Sequence, residues 1–196
     1  ANSPIFADGT STSIDMPGSV TSAATITTTL PVARLCTTNA TATARVILKM
    51  GACGDSPAAF VTWTAPAVTT TAPAATLAYA PAAISITGTT FPVVGTPVAV
   101  TFTGGGQVWN NGTATSQTVV GIVNPANTVT VTPPALYTCA NVVVTPSLQF
   151  GATNGVAGGC SQSAPTFTMN VPAVSTVNPA STSALAPGTI TLTGTN

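Results

Sequence analysis

The chain has 196 residues, of which three are Lys or Arg, three are Asp or Glu and none is His. Only 3% is charged, against about a quarter in a typical soluble domain, yet 44% is apolar, which is too hydrophobic for a disordered chain. The net charge of zero excludes a basic surface for nucleic acid, and Thr, Ser, Gly or Pro interrupts every apolar run before it could span a bilayer. We expect a folded chain with neither a nucleic-acid partner nor a membrane-inserted segment.

Short segments rich in β-branched residues recur along the whole chain between Pro, Gly and Asn. Each has the length of a strand, and several alternate apolar residues with Thr or Ser, as strands with one buried face do. The pattern predicts an all-β chain folded as a two-sheet sandwich. The predicted strands are 24–30, 44–50, 82–88, 96–103, 117–123, 127–133, 141–146, 165–171 and 188–194.

The sequence repeats itself. FADGTSTS begins at Phe6 and WNNGTATS begins at Trp109, and from these points the two copies align without a gap at an offset of 103 residues, as far as Cys36 and Cys139. Farther along, PAVTTTAP (66–73) aligns with PAVSTVNP (172–179) at an offset of 106 residues. A period slightly above 100 residues is the size of one immunoglobulin-like sandwich domain.

This register predicts three parts: 1–65, an immunoglobulin-like domain lacking its first strands; 66–171, a complete domain; and 172–196, the first strands of a further repeat. Two arrangements remain open. The chain is a window on a longer tandem array, or 172–196 of one subunit completes 1–65 of the next. A partial sandwich has unpaired strand edges and an open core, which are prone to aggregation until another strand covers them.

The middle repeat resembles the immunoglobulin-like IPT/TIG family. The similar segments are PAAISITGTTF (81–91), VAVTFTGG (98–105), NTVTVTPPAL (127–136), VVVTPSL (142–148) and, most closely, APGTITLTGTN (186–196). The insertion between Cys139 and Cys160 and the absence of the family's first Gly-Gly depart from its pattern. The resemblance implies tandem immunoglobulin-like domains of an extracellular surface protein. The scarcity of Lys and Arg argues against the DNA-binding members of the family.

Each repeat contains two cysteines. We predict the disulfides Cys36–Cys53 and Cys139–Cys160, which are typical of an oxidising compartment. The alternative is four free buried thiols. A zinc site is less favoured, because the sequence has no His and no CxxC pair.

Carbohydrate is the second expected modification. Asn39 and Asn111 begin N-x-Thr triplets and are predicted N-glycosylation sites, although a Thr-rich chain also produces such triplets by chance. The Thr- and Pro-rich tract 64–76 is a candidate carrier of O-linked glycans, with an extended linker between domains as the alternative, and the two interpretations are compatible.

Catalysis and ligand binding have few residues to draw on. The chain lacks His and Glu, and its three Asp fall within the first 55 residues, so acid–base catalysis, a catalytic triad and a carboxylate pair all lack parts. We therefore expect no enzymatic activity, no cofactor and no metal. The aromatic residues that could form a sugar-binding face are scattered, and we interpret most of them as packing residues: Trp63, Tyr79, Trp109 and Tyr137.

The leading hypothesis is a structural subunit of an extracellular fibre or appendage, polymerised with copies of itself through β-strand contacts. In that hypothesis Ile190 and Leu192 fill the open core of a neighbouring subunit. The alternative is an adhesin or carbohydrate-binding repeat of a larger cell-surface protein. A sugar binder is expected to expose two or three coplanar aromatic rings, and a fibre subunit is not.

Overall fold

A computed structural model describes residues 5–6, 13–30, 33–34, 41–49, 55–104, 108–109, 115–150 and 160–195. These residues form β-strands joined by turns and irregular segments, which confirms the all-β class. Within the described ranges there is no helix with the length and apolar character needed to cross a membrane.

The N-terminal part forms three separate strand pairs. β1 pairs with β4, β2 with β3, and β5 with β6, all antiparallel. The bounds are β1 Ile5–Phe6, β2 Ser19–Ser22, β3 Thr25–Thr27, β4 Ala33–Arg34, β5 Thr41–Val46 and β6 Ala59–Thr64.

The middle part forms one large sheet in the order β7-β9-β13-β12-β10-β15-β17-β8, with β16 also paired to β15, and a separate pair β11-β14. The first strands are β7 Ala67–Ala72, β8 Ala75–Leu77, β9 Ile84–Thr89, β10 Pro97–Gly104 and β11 Val108–Trp109. The later strands are β12 Ser116–Asn124, β13 Thr128–Val131, β14 Leu136–Tyr137, β15 Val142–Phe150, β16 Cys160–Ser163 and β17 Phe167–Asn170.

The two ends of this sheet are joined by the chain itself. β7 ends at Ala72 and β8 begins at Ala75, so two residues connect the first and last strands of the path. β7 pairs antiparallel with β9, whereas β8 pairs parallel with β17. The sheet therefore curls back on itself as a barrel-like or sandwich fold, and one face of its strands becomes the interior.

The interior of the middle part is a single apolar cluster. It is built from alternate residues of the strands, such as Ile84 and Ile86 in β9 and Val98, Val100 and Phe102 in β10, because successive side chains of a strand point to opposite faces. Aromatic rings form its centre. The ring of Phe102 lies 6.2 Å from that of Trp109 and 6.1 Å from that of Phe167, measured between centroids.

The C-terminal part is a hairpin outside this core. β18 Ala173–Asn178 pairs antiparallel with β19 Thr191–Thr195, and every residue of both strands is exposed. The described part of the chain thus ends in the strands β18 and β19, and no second layer of described residues covers them.

The strand predictions hold for β9, β10, β12 and β13 to within a few residues. The linker interpretation of 64–76 is wrong, since most of that tract lies in β6, β7 and β8. Its Thr and Val residues are β-branched and suit a strand, and β7 is hydrogen-bonded to β9 along its length. The strand β18, which is the equivalent of β7 in the C-terminal hairpin, is also absent from the predicted strands.

Candidate assembly site

The C-terminal hairpin has the same register as the hairpin that opens the middle repeat. Every strand partner is shifted by 106 residues, and both hairpins contain a register shift at the same point of the first strand. In the hairpin of the middle repeat, the paired residues are Ala67–Thr89, Val68–Gly88, Thr70–Thr87, Thr71–Ile86 and Ala72–Ser85. In the C-terminal hairpin, the equivalent pairs, in the same order, are Ala173–Thr195, Val174–Gly194, Thr176–Thr193, Val177–Leu192 and Asn178–Thr191.

The N-terminal part repeats the later strands of the middle part at an offset of 103 residues. The pair β1-β4 corresponds to β11-β14, and β2-β3 corresponds to β12-β13. In the N-terminal part, the paired residues are Ile5–Arg34, Phe6–Ala33, Ser19–Thr27 and Val20–Ile26. In the middle part, the equivalent pairs, in the same order, are Val108–Tyr137, Trp109–Leu136, Ile122–Thr130 and Val123–Val129. The sequence repeat is therefore also a repeat of strand pairing.

This correspondence identifies what the N-terminal part lacks. In the middle part, β13 pairs with β12 on one side and with β9 on the other. The equivalent strand β3 pairs with β2 on one side, and no strand among the described residues pairs with its other edge. β3 therefore presents free backbone donors and acceptors, the usual template for strand addition.

An open trough of about 980 Å³ has Ile26 of β3 in its lining. Side chains from 13–30, β5, β6 and the segment after β5 line it. Its large apolar side chains are Ile14, Met16, Val20, Ile26, Leu30, Val46, Ile47, Leu48, Phe60 and Trp63. Many of them are exposed, including Val20 and Phe60, which are 74% and 70% accessible. Much of the apolar lining of the trough is thus exposed in the part of the chain that the structure describes.

The charged residues that line the trough are Asp15, Arg45 and Lys49. Lys49 Nζ donates a hydrogen bond to Asp15 Oδ1 at 2.7 Å, and this hydrogen bond and the Asp15 charge raise the pKa of Lys49. Both side chains are well exposed, so the ion pair is screened by solvent. It links the segment before β2 to the segment after β5.

The predicted assembly residues lie on the exposed hairpin. Ile190 and Leu192 are 49% and 57% accessible, whereas their equivalents in the middle repeat, Ile84 and Ile86, are completely buried. The same sequence pattern is thus core in one repeat and surface in the other.

Of the four cysteines in the two predicted disulfides, the structure describes Cys139 and Cys160. The thiol of Cys139 is exposed and makes no disulfide with a described residue. The backbone of Cys160 lies opposite Phe150 at the far end of β15 from Cys139, and that strand is about 26 Å long at 3.3 Å per residue. The register therefore does not bring the two cysteines together, and their disulfide stays a prediction. Cys36, Cys53 and both predicted glycosylation sites, Asn39 and Asn111, lie outside the described residues.

The four singled-out aromatic residues have different surroundings. Trp109 is fully buried in the middle core, and Trp63 lines the trough. Tyr79 and Tyr137 are half exposed with ring centroids 6.1 Å apart, but the rings are tilted by 36° and do not form one flat face. Across the described ranges, no group of three or more His, Cys, Asp or Glu could hold a metal ion.

A comparison of the chain with protein-family models, curated proteins and solved structures finds no match. The internal repeat of the chain is therefore the feature that points to its function. Sequence reasoning identified the exposed hairpin but missed its acceptor, the edge of β3 and the side chains of Ile26 and Trp63. The offset of 103 residues contains that information, because it aligns Ile26 with the core residue Val129.

Proposed function

We propose that the chain is a structural, non-enzymatic subunit of an extracellular fibre or appendage, in which copies are joined end to end through β-strand contacts. The observation that carries the proposal is the complementarity of the two incomplete repeats. Among the described residues, one has an exposed apolar trough lined in part by β3, whose second edge is unpaired, and the other is a hairpin whose strands are fully exposed and carry Ile190 and Leu192.

We also propose that the repeating unit is an immunoglobulin-like domain of the IPT/TIG type. Seven principal strands within about 100 residues are typical of immunoglobulin-like sandwiches. In the middle repeat, the path from β7 to β8 through the large sheet contains seven strands if β7 and β8 are counted as one, and β16 is an eighth strand paired to β15. The predicted disulfides and glycans belong to the same extracellular proposal.

Deletion of 172–196 and a rise in ionic strength test the proposal separately by electron microscopy of the assembled protein. The deletion removes the hairpin, so we expect filaments to be lost. Salt screens charge but leaves apolar burial and backbone hydrogen bonds in place, so we expect filaments to persist in about 1 M salt. Filaments that survive the deletion, or that dissociate in salt alone, contradict strand-mediated joining.

The alternative proposal is an adhesin or carbohydrate-binding module, and the exposed pair Tyr79 and Tyr137 is the feature that favours it. Tyr79 also donates a hydrogen bond from its hydroxyl to the Thr138 carbonyl, which fixes the ring at the surface. A glycan array compared between the unmodified chain and Y79A tests this alternative. Glycan binding that Y79A abolishes supports it, and an absence of binding contradicts it.

A further inference from the structure

We propose that the occupant of the trough is the β18-β19 hairpin of a second copy of this chain, with β19 paired antiparallel to β3 in the register that β9 has with β13. This inference rests on the proposed function and specifies its contact. It assigns to each residue of β3 a partner residue on β19.

The middle repeat provides the template for this pairing. There β9 is antiparallel to β13, with Thr87 opposite Thr128 and Ile86 opposite Val129. β19 carries the register of β9 shifted by 106 residues. β3 carries that of β13 shifted by 103 residues at Ile26 and Thr27, before a bulge in β2 moves the partner of Thr25 by one residue. Superposing both correspondences gives the expected intermolecular pairs: Thr25 with Thr193, Ile26 with Leu192, Thr27 with Thr191, and Thr28 with Ile190.

The side chains agree with this register. Ile86 and Val129, which face each other across β9 and β13, are fully buried. Their counterparts Leu192 and Ile26 are 57% and 43% accessible in the separate chain. Because side chains alternate along a strand, Ile190 lies on the same face as Leu192, while Thr191 lies on the opposite face. The pairing thus directs Ile190 and Leu192 into the trough, beside Ile26 and Thr28 of its lining, and Thr191 away from it.

Charge and backbone geometry also permit the contact. The hairpin is uncharged throughout 172–196, so burying it against the trough desolvates no charged group of its own. Gly194 allows β18 and β19 to approach closely, because a Cβ there would collide with the Ala173 carbonyl, just as one at Gly88 would collide with that of Ala67. The donor hairpin therefore already has the shape that β7 and β9 have in the folded repeat.

The hairpin replaces β7 and β9 but not β10. In the middle repeat, β10 lies between β12 and β15, and its equivalent is found in neither partial repeat. The inference therefore concerns the β3 edge and the adjoining part of the trough. Coverage of the same edge by residues of the same polypeptide, as in a tandem array, is the competing arrangement.

Disulfide trapping between two full-length variants tests the register. T27C and T191C are prepared separately, mixed, assembled and oxidised under mild conditions, and the linked peptides are identified by mass spectrometry because the chain has cysteines of its own. Each variant carries one engineered cysteine, so a bond between positions 27 and 191 must join two molecules. T193C is the matched control for T191C, since diagonal neighbours across a strand pair lie about 7–8 Å apart, whereas a disulfide needs Cβ atoms about 4 Å apart.

We expect a peptide linking positions 27 and 191, a doubled mass on a non-reducing gel, and loss of that link when T193C replaces T191C. Filaments that form without the 27–191 link, or that give both links equally, overturn the register but leave the proposed function standing. If the unmodified chain remains monomeric by sedimentation and electron microscopy, the proposed function and this inference both fail.

Discussion

Leu192 and Ile86 occupy equivalent positions of two repeats, yet only Ile86 is buried, so truncating each to alanine separates assembly from folding. I86A creates a cavity in the middle core and is expected to lower the free energy of unfolding by about 2–5 kcal/mol. L192A removes a side chain that is 57% accessible and is expected to change that free energy by less than about 1 kcal/mol.

The assembly effect of L192A follows from the area that the contact buries. Complete burial of a Leu side chain contributes about 1.5–3 kcal/mol, and slightly more than half of the Leu192 side chain remains to be buried. The substitution should therefore weaken each contact by about 1–2 kcal/mol, which is a factor of about 5–30 in the association constant.

Two measurements check this pair of variants. Urea denaturation followed by tryptophan fluorescence gives the free energy of unfolding, and pelleting at increasing protein concentration gives the critical concentration for assembly. We expect L192A to raise the critical concentration by the same factor of about 5–30. T191A, on the opposite face of β19, is the matched control and should leave it nearly unchanged.

Two results would refute the reasoning. If L192A destabilises the isolated chain as much as I86A does, Leu192 is buried within its own molecule. If L192A and T191A have the same critical concentration, the apolar face of β19 does not enter the contact.

Three further predictions concern folding and modification. G88A should lower the free energy of unfolding by about 1–3 kcal/mol, because a Cβ at Gly88 collides with the Ala67 carbonyl and the Phe91 ring. G188A is the control, because a Cβ at Gly188 makes only an ordinary contact with Thr182 Oγ1 at 3.8 Å, and equal urea midpoints for the two variants would be evidence against the collision. Non-reducing peptide mapping is expected to recover a peptide that links Cys139 to Cys160 of the same repeat. A link from Cys139 to a cysteine of the N-terminal repeat contradicts the proposed pairing of cysteines. Enzymatic removal of N-glycans from native material is expected to convert Asn39 or Asn111 to Asp, and unmodified peptides at both positions rule out the glycans.

Local pattern was sufficient for the strands whose apolar residues alternate. In β10, Val98, Val100 and Phe102 alternate with partly or fully exposed residues, and this period of two is visible in the sequence. β7 was missed because its consecutive Thr residues, Thr69 to Thr71, give no apolar alternation. Its strand conformation depends on pairing with β9 and therefore on a partner distant in sequence.

Long-range geometry was harder to predict than the repeat itself. The parallel pairing of β8 with β17 involves three residues of β8 and has no local signature. The Lys49 ion pair with Asp15 depends on how the segment before β2 lies against the segment after β5, and the sequence pattern does not specify that contact. The acceptor edge of β3 is specified by the offset of 103 residues together with the observed pairing, in which β3 pairs with β2 alone among the described residues.

Electron cryo-microscopy of the native assembly, at a resolution that traces individual strands, tests the central claim most directly. The account predicts filaments in which β19 of each subunit lies antiparallel beside β3 of the next, with Leu192 opposite Ile26. Isolated particles with an uncovered trough, or filaments in which a segment of the same polypeptide covers β3, would contradict it.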